Sequence, residues 1–158
     1  VSAPFDAASP EDKIPHLLFL SNLLISKGVV VLLDSLKVLK EKGCRFVCDF
    51  VGGETVEMDA AMFQAEVTKR GLEDMVVYHG RKYGKDKEAF LNGADIFVFP
   101  TFYHNECFPL VLLEAMEHGV ACISTTEGEY QELLMMVRRA SSFLSMMLLC
   151  LLTRFCFS

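Results

Sequence analysis

The sequence predicts an α/β domain, one parallel sheet covered by helices on both faces. Two observations carry that expectation. Apolar runs of strand length alternate along the chain with segments of helical periodicity. The strand-like runs are apolar at consecutive positions instead of every second one, so both of their faces are suited to burial. Bulk composition agrees. A chain of 158 residues with 52% apolar and 23% charged side chains can fill one sizeable core and is too short for a second full domain.

Residues 1–13 hold two of the five prolines among small and charged residues, and read as a linker or the end of a preceding domain. The start at Val1 shows no basic-then-apolar leader and reads as a cut. HLLFLSN (16–22) follows as a buried strand. Val29, Leu32, Leu33, Leu36 and Leu39 then recur at helical spacing, with basic residues and Gly43 as the stop. RFVCDFVGG (45–53) is a strand, 57–70 a helix stopped by Gly71, and MVVYHG (75–80) a strand. A short helix covers 85–92, and DIFVFP (95–100) is the fourth strand. A helix runs from Pro109, a residue suited to the first helical position, to His118 before Gly119. VACIST (120–125) is the fifth strand, so the domain spans residues 14–128.

A formal charge of -6 with no long Lys or Arg block excludes a nucleic-acid surface, which needs a basic field. It does not exclude a small anion, for which a few placed donors suffice. The six cysteines form no CxxC pair, and no histidine stands at metal-ligand spacing from them. Cys44, Cys48 and Cys122 lie in apolar runs and read as small buried hydrophobes, in keeping with a reducing compartment.

In a parallel sheet of this kind ligands bind outside the carboxyl ends of the strands. Four segments follow strands. In SNLLISKG (21–28), Lys27 stands at a helix start, where exposed amides and a cation would suit a diphosphate; taken alone it reads more readily as a solvated lysine. VGGE (51–54) allows close backbone approach, although a strand-ending turn needs glycine equally, and it is not the GxGxxG of dinucleotide sites. YHGRKYG (78–84) offers Arg81 and Lys82 to phosphate, or is a polar connection. The most specific is PTFYHNECFPLVLLEAMEHG (100–119). There Glu106 lies before a helix start, where the dipole favours a carboxylate. Glu114 lies among Leu110, Val111, Leu113, Ala115 and Met116 and needs a partner, which paired ribose hydroxyls would supply.

The E-x7-E spacing of Glu106 and Glu114 resembles that of retaining glycosyltransferases with two facing Rossmann-like domains (the GT-B fold), family 4 (group 1) above all. LFLSNLLISKG, CDFVGG, ADIFVFPT and LEAMEHGVACIST are similar, in order, to the C-terminal domain of that family across residues 15–128. The resemblance implies a Rossmann-like donor-binding domain from an enzyme that moves a hexose from a nucleotide sugar to an acceptor hydroxyl with retention. It implies Glu106 as the catalytic residue against the transferring sugar, Lys27 on the diphosphate and Glu114 on the ribose hydroxyls. The backbone of Cys107, Phe108 and Pro109 would lie near sugar and phosphate, and Gly80 and Arg81 would flank the base.

Asn22 stands where the family usually has arginine, so it brings donors without a charge and leaves the diphosphate to Lys27. No DxD sequence occurs, which fits a donor site without metal or other cofactor. The acceptor (polysaccharide, lipid or small molecule) is left open. The expected setting is cytoplasmic, with peripheral membrane contact of the parent allowed, and the fragment alone is expected to be inactive. Two rivals stand beside this reading, a non-catalytic nucleotide-binding or interaction module and a nucleotide-sugar epimerase of the same architecture.

Residues 129–158 break the pattern. They form a greasy tail whose longest apolar stretch falls short of the ~20 residues of a membrane span. Read one nucleotide back, Met135-Met136-Val137 forces Asp then Gly at its last two positions, as the family's glycine-rich continuation requires. The tail is therefore read as out of frame.

Overall fold

The computed structural model describes residues 14–100, 110–125 and 133–136. Strands β1 (His16–Leu20), β2 (Val47–Val51), β3 (Val76–Gly80), β4 (Ile96–Phe99), β5 (Ala121–Thr125) and β6 (Leu133–Met136) form one sheet in the order β3-β2-β1-β4-β5-β6. The first five are parallel, and β6 is antiparallel to β5. Between them run α1 (Val29–Glu41), α2 (Ala60–Lys69), α3 (Gly84–Gly93) and α4 (Leu110–Glu117), with a 3-10 turn at Ile25–Lys27 before α1.

Both faces of the sheet are buried at its central strands β1 and β4, as their consecutive apolar residues demand, whereas Val77 of β3 is exposed. Leu17 and Phe19 of β1 pack with Leu32, Leu33 and Leu36 of α1 and Phe63 of α2. Leu18 and Leu20, pointing the opposite way, pack with Phe97 and Phe99, Leu91 of α3 and Ala115 of α4. All five residues expected on the inner face of α1 are buried. Aromatic rings continue the first core across the sheet, with Phe50 centred 5.1 Å from Phe19 and 4.8 Å from Phe63, and Phe63 5.4 Å from Tyr78. Arg70 at the end of α2 reaches Asp34 of α1 at 2.8 Å and fastens the two helices on that face.

Local chemistry moves some boundaries. The expected helix over 57–70 begins at Ala60, because the Asp59 side chain accepts from the Met62 amide at 2.8 Å as an N-cap. Residues 57–58 instead turn around the Thr55 hydroxyl, which accepts from the amides of Glu57 and Met58, each at 3.2 Å. The sheet also extends beyond residue 128. Leu133–Met136, part of the tail that breaks the sequence pattern, pairs with Cys122–Thr125. This pairing satisfies amides and carbonyls that β5 would otherwise leave open at a sheet edge.

Cys48 and Cys122 are buried as expected, whereas Cys44 is only half-buried. Burial pushes the Cys48 thiol well above its ordinary value, with the Asp49 carboxylate adding to the effect. Burial alone raises Cys122 from 9.0 to about 11. For Cys122 the fold thus favours the protonated thiol. That contribution to stability is whole below pH 9 and is lost as pH rises through about 11. Urea denaturation between pH 8 and 11 should show stability falling over this window, with Cys122→Ala flattening part of the slope. At pH 8, DTNB should leave Cys48 and Cys122 unmodified until the chain is unfolded.

Candidate functional site

The chain reverses its direction of travel across the sheet at one place. From β1 it moves to β2 and β3 on one side, and later to β4 and β5 on the other, so the switch lies between β1 and β4. The pairing there is short. β1 pairs with β2 along all five of its residues, but with β4 only through Leu17↔Ile96 and Leu18↔Phe97. Asp95 holds the near ends together. Its amide donates to the His16 carbonyl at 2.8 Å, and its carboxylate accepts from the His16 amide at 2.9 Å. Beyond Leu18 and Phe97 that pairing stops, which leaves a gap toward the carboxyl ends.

The start of α1 occupies this gap. Gly28 caps it with φ 87°, and a Cβ at Gly28 would lie 2.1 Å from the Pro100 carbonyl oxygen that follows β4. With no side chain on the capping residue, the first amides of α1 have no side-chain acceptor from it. Lys27 precedes it, with Nζ 5.7 Å from the centre of the Phe99 ring. The sequence had placed a cation near a helix start, and the fold puts both at the switch between β1 and β4.

The neighbouring strand ends are stitched by backbone. The Ser21 amide donates to the Val51 carbonyl, Leu23 to Gly53 and Gly52 to Gly80, each at 2.9 Å. Asn22 is exposed, and its Oδ1 accepts from the Gly53 amide at 3.0 Å, which leaves its NH2 donors available to a ligand. Close approach to backbone requires the first glycine of VGGE, whereas the second faces only the end of a side chain. A Cβ on Gly52, at φ 157°, would meet the Ser21 carbonyl oxygen at 1.7 Å, and one on Gly53 would meet the Arg81 guanidinium at 2.2 Å. Arg81 therefore lies over Gly53, beside Asn22, while Gly80 turns the chain at φ 75°.

Several residues that sequence reasoning did not single out build this rim. The Tyr78 hydroxyl donates to the Gly52 carbonyl at 2.7 Å. Burial pushes its phenol up, Glu54 adds to this and Arg81 opposes it. Thr55 donates to the Leu23 carbonyl at 2.7 Å, and the Glu57 carboxylate accepts from the Ile25 amide at 3.0 Å. Together they fix the segment that carries Asn22 and Lys27. For Thr55 and Glu57 the advance sign was the cluster of polar residues after VGG, and for Tyr78 its place at the head of YHGRKYG.

Glu114 sits in the second turn of α4, on the opposite face of the sheet from α1. Its expected need for a partner is met by Lys87 of α3, whose Nζ lies 3.1 Å from Oε1 and 2.9 Å from Oε2. Glu106, Cys107, Phe108 and Pro109 lie outside the described residues. Among the described residues, no group of three or more His, Cys, Asp or Glu side chains could hold a metal, and no helix is long and apolar enough to cross a membrane.

Comparison with known proteins gives this geometry a family context. The family model described as glycosyl transferases group 1 matches residues 4–137. The amylovoran biosynthesis glycosyltransferase AmsK of Erwinia amylovora is 28% identical over 123 residues, covering 75% of this chain and 30% of that protein. Among solved structures, HepE of Anabaena in complex with UDP and glucose superposes with a TM-score of 0.62 at 22% identity, over 73% of this chain and 30% of that one. The C-terminal domain of the group 1 glycosyl transferase LpcC of Francisella tularensis gives 0.59 at 24% identity, over 77% of this chain and 65% of that one. The architecture is the Rossmann-like one of GT-B glycosyltransferases. The chain spans about 30% of the length of the curated relatives it matches.

The two close approaches give a direct test. Gly28→Ala and Gly52→Ala should each lower the unfolding free energy by about 2 kcal/mol or more, since backbone strain alone costs ~1–3 kcal/mol and both clashes are with backbone. Gly43→Ala shares a positive φ but meets nothing within 4 Å, and should cost about 1 kcal/mol in the same urea titration.

Proposed function

Because this chain belongs to the glycosyl transferases group 1 family, we propose that it is the donor-binding part of a retaining hexosyltransferase using a nucleotide sugar. The observation that carries the reading is the junction of Lys27, Gly28 and the open end of α1 at the gap between β1 and β4. Helix amides and a cation at one point attract a diphosphate. In the transfer, the bond between the sugar's anomeric carbon and the diphosphate oxygen breaks, and negative charge grows on the leaving group. Fixed donors aimed at that charge stabilise the transition state more than the ground state. Lys27 and the first amides of α1 take that role, with the Asn22 amide beside them. No divalent ion is required in this scheme, since protein donors offset the diphosphate charge.

Arg81 and Gly80 flank the base at the ends of β2 and β3, and Glu114 accepts from the ribose hydroxyls. Glu106, with the backbone of Cys107, Phe108 and Pro109, stands against the transferring sugar. The complex of HepE with UDP and glucose supports a uridine diphosphate donor as the first to try. The acceptor hydroxyl, on a polysaccharide, lipid or small molecule, is bound by residues beyond this chain, so the chain alone binds nucleotide without turnover.

Calorimetric titration of the purified chain with UDP, GDP and ADP should show one-to-one binding of at least one. Lys27→Ala should weaken it about tenfold, equivalent to ~1.4 kcal/mol, and Glu114→Ala by a similar factor. Failure of all three nucleotides to bind, or binding indifferent to Lys27, would remove the reading. Clear sugar transfer by the chain alone would overturn its division of labour.

A further inference from the structure

We infer that Lys87 is a positioning residue for the donor nucleotide, acting through the Glu114 carboxylate that it holds from the neighbouring helix. This rests on the reading of Glu114 as the ribose ligand and adds a residue to it. Lys87 and Glu114 lie 27 positions apart and belong to different helices, so the pair is tertiary and does not follow from helical spacing.

The two helices start at the same rim. α3 follows β3 and α4 follows β4, so both begin at the carboxyl ends of parallel strands, on the face lined by Leu91, Phe97 and Ala115. Lys87 is the fourth residue of α3 and Glu114 the fifth of α4. At 1.5 Å per residue both lie within about 6 Å of the rim. Side chains on a helix lean toward its N-terminus, which carries both toward the ligand side.

The pair is one-sided in a useful way. One ammonium spans both carboxylate oxygens, at 3.1 and 2.9 Å, so the carboxylate plane is held against rotation. A carboxylate has about four acceptor positions. Lys87 engages one on each oxygen and leaves the others for two hydroxyls. The Glu114 side chain keeps 38% of its surface exposed and Lys87 26%, so the acid is the more accessible partner. Charge gives a second reason. A bare carboxylate near a diphosphate would repel it, and an ammonium within 3 Å of that carboxylate offsets the repulsion.

The test uses the full 158-residue chain with UDP and 2′,3′-dideoxy-UDP as probes, comparing Lys87→Met, Lys87→Arg and Glu114→Gln by calorimetry. Lys87→Met should weaken UDP binding about tenfold and dideoxy-UDP binding less than threefold, because its effect passes through the hydroxyl contacts. Lys87→Arg should recover most of the UDP affinity. Equal weakening toward both probes would assign Lys87 to the phosphates or to general structure and overturn the inference, as would unchanged or tighter UDP binding in Lys87→Met. If Glu114→Gln weakens UDP while Lys87→Met does not, the inference falls and the ribose reading stands. If Glu114→Gln binds both probes like the unaltered chain, the ribose reading falls and takes the inference with it.

Discussion

The approach of Gly28 to the Pro100 carbonyl is the constraint on which the rest of the site depends. Any Cβ at that position would overlap a backbone oxygen, so α1 can begin where it does only because its cap has no side chain. That contact seats the helix start between β1 and β4 at the point where their pairing has stopped. The position of Lys27 follows, one residue before the cap and over Phe99. A second contact of the same kind, Gly52 against Ser21, brings β2 to the segment after β1 and with it the Arg81 side chain above Gly53. Two glycines thus fix how four strand ends share one rim.

Much of the architecture was legible because its signals are redundant. The inner face of α1 is written five times over in one stretch, and the strands announce two buried faces by being apolar at successive positions. Single contacts were less legible. VGGE read as a weak signal, since glycine serves a turn as well as a close approach, and only the third dimension shows Ser21 and Arg81 against it. Thr55 carries no sequence signal of its own and Glu57 falls in the expected helix 57–70, yet both hold the 21–27 segment from the loop after β2. Glu114 was recognised as a buried-side carboxylate in need of a partner. Its partner Lys87 was invisible, because a lysine on a polar helix looks the same whether it meets water or a carboxylate 27 positions away.

Charge shows how little a net value says about a site. The chain carries a formal charge of -6, yet the rim itself is balanced, with Glu54, Glu57 and Glu114 beside Lys27, Arg81 and Lys87. With a screening length of about 8 Å at physiological salt, a ligand at the rim responds to the groups beside it more than to the total. All three acids are already engaged, Glu54 by the Ala60 amide, Glu57 by the Ile25 amide and Glu114 by Lys87. Those contacts hold protein parts in place, and beside them the cations and the helix amides are the groups that attract an anion.

The layout also separates two tasks that a glycosyl transfer must combine. α1 lies on one face of the sheet and α4 with Glu114 on the other, while Lys27 at the start of α1 reaches over Phe99, whose ring packs on the α4 face. A ligand spanning both must therefore lie across the strand ends, with its outer side turned from the sheet. Asn22 and Arg81 are exposed there. In the proposed reaction water on that outer side would compete with the acceptor hydroxyl for the sugar, and donors facing bulk water act in a high dielectric, where they stabilise developing charge least. The same groups would act far more strongly under a second surface that excludes water. On the proposed reading, binding and catalysis therefore part company physically. This rim can select and orient a donor by itself, while the rate of transfer depends on what closes over it.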